Sequence, residues 1–293
     1  MKDRPRTAAG RDAAGTLCVF LASVFFSIGG LCVKRIPWSA LAINGVRNLL
    51  GAAVIGVFLL VTRHRLRFRR PVLVGALSTM GVTTLFTAAN KLTTAANAIV
   101  LQFTAPVFVI LFMAVLFHVR PKKRDVLTCA AVLFGVCVFF VDGLQTGSLL
   151  GDLAAVLSGV CYAGVFLMNT AEDSDALSSC FLGQLAAGIL FTPFCLRETD
   201  FSAPVVSTLL VLGVVQVGLA YILLSVGLRR TGAVTASLIT GLEPILNPLW
   251  VALFYGERVS GLAVAGAVIV VGAILLYNVS EAKAQTEPDS PDG

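Results

Sequence analysis

The chain is 293 residues long, 57% hydrophobic and only 13% charged, with a formal net charge of +6. A soluble domain carries about a quarter charged residues, so this composition excludes a soluble globular protein and points to one built in the bilayer. The positive balance does not mark a nucleic-acid binder, because the basic residues sit in short loops between apolar runs, where they set orientation.

A hydrocarbon core about 30 Å thick asks for roughly 20 apolar residues per helix. Ten such runs are predicted in chain order, over residues 15–33, 38–62, 71–90, 95–118, 125–141, 150–169, 177–196, 204–227, 232–255 and 260–279, the fifth being the shortest. The first follows Lys2, Arg4, Arg6 and Arg11, but it is long for a signal core and has no clear cleavage site, so no removable signal peptide is expected. Residues 1–13 and 282–293 are polar and proline-containing and read as disordered cytoplasmic tails. Every loop is short, which leaves no place for a soluble catalytic domain. Trp38, at the start of the second run, reads as an interfacial anchor.

Lysines and arginines fall unequally on the two sides. The tails, the 63–70 loop (Arg63, Arg65, Arg67, Arg69, Arg70), the 120–124 loop and Arg229–Arg230 together hold sixteen. The opposite side holds five, Lys34, Arg35, Lys91, Arg197 and Arg258. This bias predicts both termini in the cytoplasm of a multi-pass protein of the cell's inner (plasma) membrane.

The chain also says one thing twice. Residues 95–119 and 233–257 both begin with small residues, carry a proline in mid-run (Pro106 and Pro244) and place an aromatic residue near the end (Phe117 and Tyr255). Fainter matches pair Ser23 and Gly29 with Ser158 and Gly164, and Gly75 with Gly213. Five spans per copy is an odd number, so the second copy starts on the opposite side of the membrane. The expected fold is all-α, with ten transmembrane helices in two inverted five-helix repeats, 14–146 and 147–281, around a central cavity. Paired hydrophobic segments interrupted by proline are the best sequence pointer to a transporter whose site lies between its halves. Pro106, Pro244 and Pro248 are the predicted hinges, since each removes a backbone donor and lets its helix bend.

Candidate site residues are the polar groups at membrane depth. Glu243 is the only acid well inside a run, and a central acid costs about 2.5–3.5 kcal/mol on insertion scales, so a wet cavity, a partner or protonation must offset it. Glu243, Asn247 and Trp250 share one helix face at i, i+4 and i+7. Arg47, about nine residues into the second run, could bind a substrate carboxylate or pair with Glu243. Gln102 and Asn97 in the fourth run, and Gln216 and Tyr221 in the eighth, complete the candidate substrate-binding set, with Gln184 weaker. For each, plain interhelical bonding is the alternative. Seven scattered cysteines without a CxxC pair, and only two histidines, His64 and His118, argue for packing roles and against a metal site or other cofactor.

Against these residues a family resemblance stands out. Ala236-Ser237-Leu238, Leu242-Glu243-Pro244, Leu253, Gly256-Glu257-Arg258 and Gly261 resemble the C-terminal repeat of the EamA family, within the drug/metabolite transporter (DMT) superfamily. Arg47, Ala95-Ala96-Asn97-Ala98 and Pro106 resemble the first repeat, with Val119 where the family carries an acid. The resemblance spans about residues 14–280. It implies ten helices in two inverted repeats, helices five and ten at the periphery, and transport of small metabolites, most often outward and often of amino acids or related compounds. It places Glu243 and Arg47 on positions the family commonly fills with those residue types.

The expected function is a secondary transporter, an exporter of a small organic metabolite with an amino acid or related compound favoured, working by alternating access. No GxxxxGK[ST] loop is present to couple it to ATP. Its partners are the solute, the lipid bilayer and candidate coupling protons, with no nucleic acid. The small residues Gly261, Ala265 and Gly266 fit core packing or a dimer face, so monomer and homodimer both stay open. Drug efflux by the same fold is one alternative. A membrane-embedded enzyme acting on lipid is the other, but it needs a nucleophile–base pair or metal cluster at depth, and the sequence offers one acid, one arginine and no deep histidine. No enzymatic activity is expected.

Overall fold

The structure, a computed structural model, describes residues 13–93, 95–141, 148–246, 250 and 260–286, with backbone alone at 95, 96, 139, 140, 169, 278 and 281–286. Its described residues are helical, with no strand among them. In chain order the helices are α1 (Ala13–Arg35), α2 (Ala40–Val61), α3 (Arg70–Leu92), α4 (Ala95–Gln102 and Ala105–Leu116), α5 (Lys123–Phe140), α6 (Leu149–Phe166), α7 (Ala176–Arg197), α8 (Ala203–Leu228), α9 (Ala233–Leu246) and α10 (Gly261–Thr286). Among the described residues, seven stretches are long and apolar enough to cross a membrane: α1, α2, α3, α4 over Asn97–Leu116, α6, α7 and α8. α5 and the described parts of α9 and α10 do not meet that measure. α10 continues to Thr286, into the stretch expected as a tail, because Glu281-Ala282-Lys283-Ala284-Gln285 are all strong helix formers. The remaining expected tail residues, together with Asn247 and Pro248, lie outside the described residues.

Helix starts and stops follow local chemistry. Ser39 caps α2 by accepting from the Ala42 N–H, and Asp175 caps α7 by accepting from the Ser178 N–H at 3.1 Å. Proline stands in the first turn of α3, of the second part of α4 and of α8, where its missing N–H is no loss. Large apolar side chains such as Val57, Leu77, Phe134, Ile189, Val268 and Leu276 face outward, a surface suited to acyl chains and not to water.

Packing repeats with the sequence. α3 lies along α6 as α8 lies along α1; α3 meets α7 as α8 meets α2; α4 meets α6 as α9 meets α1. α2 pairs with α7, α4 with α9, and α5 with α10. Exchanging each helix for the one five later maps this set onto itself, the signature of two equivalent halves about a pseudo-twofold axis. Two pairs of close glycine contacts obey it too. A Cβ on Gly15 would sit 2.6 Å from Arg230, and one on Gly151 would sit 2.8–2.9 Å from Leu92 and Thr93, the matching place in the other half. The expected pairing of Gly29 with Gly164 reappears, as Gly29 lies against Gln216 and Gly164 against Ser78.

The tightest approach is between α2 and α7. A Cβ on Gly45 would fall 2.2 Å from the Thr192 nitrogen and 2.3 Å from the Phe191 carbonyl carbon, both backbone atoms that cannot swing aside. Nothing lies within 4 Å of the same atom on Gly272. Overpacking a tight site costs about 1–3 kcal/mol, whereas an open helical glycine gains up to about 1 kcal/mol on becoming alanine. Gly45→Ala is therefore expected to lower the melting temperature of detergent-solubilised protein by several degrees, with Gly272→Ala unchanged or higher, read by fluorescence-detected size exclusion after heating.

Candidate functional site

Among the described residues, α7 ends in a 3-10 stretch over Thr192–Arg197, and four further helices depart from regular α geometry within their spans. α1 breaks at Ser27 and Ile28, between segments ending at Phe26 and starting at Gly29. α4 breaks at Phe103 and Thr104, just before Pro106, and the bonding there tightens as the Thr104 N–H reaches Leu101 O at 3.3 Å. α9 narrows to a 3-10 turn over Thr240–Leu242, just before Pro244. α8 widens to π geometry over Val211–Leu219. Proline explains two of these, because neither Pro106 nor Pro244 has an N–H for the carbonyl four residues earlier. Pro106 and Pro244 thus mark matching breaks in the two halves.

The irregular segments meet at one cavity. Its walls are Phe26 of α1, Arg47 of α2, Val82, Thr83 and Phe86 of α3, Gln102 of α4, Tyr162 of α6, Gln216, Val217 and Tyr221 of α8, and Glu243 of α9. Of the sequence-predicted residues, the structure brings together Glu243, Arg47, Gln102, Gln216 and Tyr221. The cavity volume is about 30 Å3, room for about two waters.

Arg47 is only 1% exposed. Its Nη2 donates to the Thr83 carbonyl at 2.8 Å and to Asn44 Oδ1 at 3.4 Å. Asn44 is held in turn by donating to Thr84 Oγ1 at 2.9 Å and accepting from Asn48 Nδ2 at 2.8 Å. This α2–α3 network fixes the guanidinium at the cavity wall, so Arg47 does not snorkel to an interface. No ion pair joins Arg47 to Glu243. The Glu243 carboxylate instead accepts from the Tyr162 hydroxyl at 3.3 Å. Phe26 stands edge-on to Tyr221, with centroids 5.0 Å apart, and to Tyr162 at 6.4 Å, giving the cavity an aromatic face.

Two candidates do not line the cavity. Asn97 donates to Asp152 Oδ1 and Thr93 Oγ1, both at 3.4 Å, tying the start of α4 to the start of α6. Trp250 donates from Nε1 to Ser27 Oγ at 2.8 Å, where it fills the break in α1. Both kept their polar partners on neighbouring helices, the alternative that spacing alone could not reject. Trp38, expected as an interfacial anchor, is packed inside the protein. It is 4% exposed, donates to the Asp200 carbonyl at 2.7 Å and stacks edge-on against Phe201, because the α7–α8 loop folds over it.

Sequence reasoning missed Tyr162, Thr83 and Phe26. Tyr162 had a signal: it is one of four tyrosines, and a hydroxyl in mid-run needs a partner. Thr83 contributes a backbone carbonyl to Arg47, which no side-chain pattern reveals.

Clasps bridge both ends of the bundle. At the arginine-rich end, Asp175 accepts from His64 Nε2 at 2.7 Å, from Arg229 Nη2 at 2.9 Å and from the Ser178 hydroxyl at 2.5 Å. This joins the loops after α2, after α6 and after α8. At the other end, Lys91 donates to the Ile36 carbonyl at 2.6 Å and Lys34 to the Thr93 carbonyl at 3.0 Å, while the Ser39 N–H donates to Glu198 at 2.9 Å. Lys91 and Arg229 end α3 and α8, matching helices of the two halves.

A family model for EamA-like transporters matches this chain twice, over residues 13–141 and 149–279. The chain belongs to that family. The two matches are the two halves whose packing repeats. A solved crystal structure, described only as that of a protein, superposes with a TM-score of 0.78, covering 92% of this chain and 100% of that one. At 20% identity it is similar in fold alone. No curated protein matches. This EamA-like protein is therefore a multi-pass membrane protein of the drug/metabolite transporter superfamily.

The clasp at Asp175 titrates. Burial raises its pKa, but the Ser178 hydroxyl and N–H and the His64 ring outweigh that and hold the carboxyl below its ordinary value. A depressed carboxyl stabilises the fold fully above the unfolded-state value, about pH 4, and this contribution is lost as pH falls through the lower folded value. Asp175→Asn is expected to melt a few degrees below the wild type at pH 7, with the gap closing towards pH 3, as measured by melting temperature across that range.

Proposed function

We propose that this EamA-like protein is a secondary transporter that exports a small organic metabolite, an amino acid or related compound favoured, by alternating access. The reading is carried by one observation: Arg47 of the first half and Glu243 of the second face a single cavity where α1, α4, α8 and α9 all break. A cation, an acid, two amides and aromatic faces suit a zwitterion with an apolar side chain. Ligand sites are usually hundreds of Å3, so the narrow form is the closed state, which widens when one end clasp opens. The breaks at Pro106 and Pro244 supply the bending points. Ten spans in inverted repeats, with both termini and the arginine-rich end in the cytoplasm, fit the helical stretches and the charge bias, and the inner (plasma) membrane is the site of action. The protein works as a monomer or homodimer.

Glu243 is the proton-coupling group in this scheme, taking up a proton when its bond to Tyr162 opens. In proteoliposomes with a pH gradient, wild-type protein is expected to accelerate flux of a labelled amino acid, and Glu243→Gln to reduce gradient-driven flux by at least about tenfold, the scale of one lost charge-assisted bond. Undiminished gradient-driven flux in the variant would remove Glu243 from the coupling.

A further inference from the structure

We propose that Arg47 and Gln216 form a subsite that takes the carboxylate of the transported solute together with an N–H or O–H next to it; this rests on the transport reading above and assigns the solute's chemical class. Arg47 commits Nη2 to Thr83 and Asn44, and its Nε and Nη1 have no partner in the protein. Gln216, 6% exposed, has an amide oxygen with no partner either. Both side chains line the same cavity. Gly29 leaves the room Gln216 occupies, since a Cβ there would sit 2.8 Å from its Nε2.

Buried donors and acceptors are nearly always satisfied, and an orphan is costly, so such groups at a binding wall are reserved for what binds. A guanidinium offers only donors, in one plane, which matches a carboxylate and repels a cation. The neighbouring orphan acceptor matches a hydrogen on the atom beside that carboxylate, as in α-amino and α-hydroxy acids. Glu243 is not the missing partner, because its carboxyl accepts from Tyr162 and makes no ion pair with Arg47. The orientation follows: carboxylate towards α2 and α8, the rest of the solute towards Phe26, Tyr162 and Glu243.

The test compares acids with their amides on the purified full-length protein in detergent. L-Leucine, L-threonine and L-phenylalanine are each titrated against their primary amides, with tetraethylammonium as a cation control, and binding is read as the rise in melting temperature. At least one acid is expected to raise the melting temperature by a few degrees at saturation, and its amide to need at least about tenfold more for the same rise. Gln216→Leu, which removes the acceptor for the neighbouring N–H or O–H, should weaken acid and amide alike by about tenfold, whereas Arg47→Lys, which keeps the charge but not the donor geometry, should weaken the acid about tenfold and leave the amide unchanged. If Arg47→Lys does not fold, the acid–amide comparison on the wild type stands alone. Equal binding of acid and amide, tetraethylammonium binding as tightly as the acids, or no shift with any acid overturns the subsite. Flux of the same labelled solutes in proteoliposomes separates the two claims, because transport without an acid preference overturns the subsite and leaves the transporter.

Discussion

A helix in lipid can give up a backbone hydrogen bond only where protein or enclosed water takes it over. That constraint organises this molecule. The breaks beside Phe26, Gln102 and Glu243, and the widened turn at Gln216, are spread over four helices and four distant stretches of sequence. All four sit at one cavity in the middle of the bundle. The polar interior is thus where the backbone itself is irregular, and freed carbonyls there add to the polarity of the walls. The Gln102 carbonyl, left without the Pro106 N–H, lies against Gly159 of α6, where a Cβ would fall 2.7 Å away.

The halves share their packing but not their chemistry. Helix pairs and glycine contacts map onto each other when each helix is exchanged for its counterpart, so the frame is built twice from one plan. The residues at the cavity have diverged. Glu243 corresponds to Ala105, which is buried and inert, and Tyr221 corresponds to Thr83, whose carbonyl steadies Arg47. The frame is thus near-symmetric while the lining of its cavity is not.

The end clasps show a similar divergence. Lys91 and Arg229 close equivalent corners, but Lys91 reaches a neutral carbonyl whereas Arg229 reaches the Asp175 carboxylate shared with His64. Charge-assisted bonds to an ionised carboxylate are stronger than bonds to a carbonyl. The arginine-rich end is held by ionised partners, and the opposite end by neutral acceptors, the Ser39–Glu198 contact and the packing of Trp38 and Phe201.

The sequence by itself determined the membrane class, the two copies, the helical stretches and the broken segments at Pro106 and Pro244. These follow from run length, charge counting and the missing proline N–H, all of which are local properties. It also placed Glu243, Arg47, Gln102, Gln216 and Tyr221 among the groups that needed an explanation at membrane depth. Which of the polar groups meet was decided only by the tertiary structure. Asn97, Trp250 and Trp38 carry the same kind of signal as Gln102 and Tyr221, yet they do not line the cavity and bond to Asp152, Ser27 and Asp200, on helices or loops 55, 223 and 162 positions distant in the chain. Helical spacing fixes the face on which a side chain stands. It cannot say which neighbour that face will touch, because close approach is set by glycines such as Gly45 and Gly159 meeting backbone from the other half.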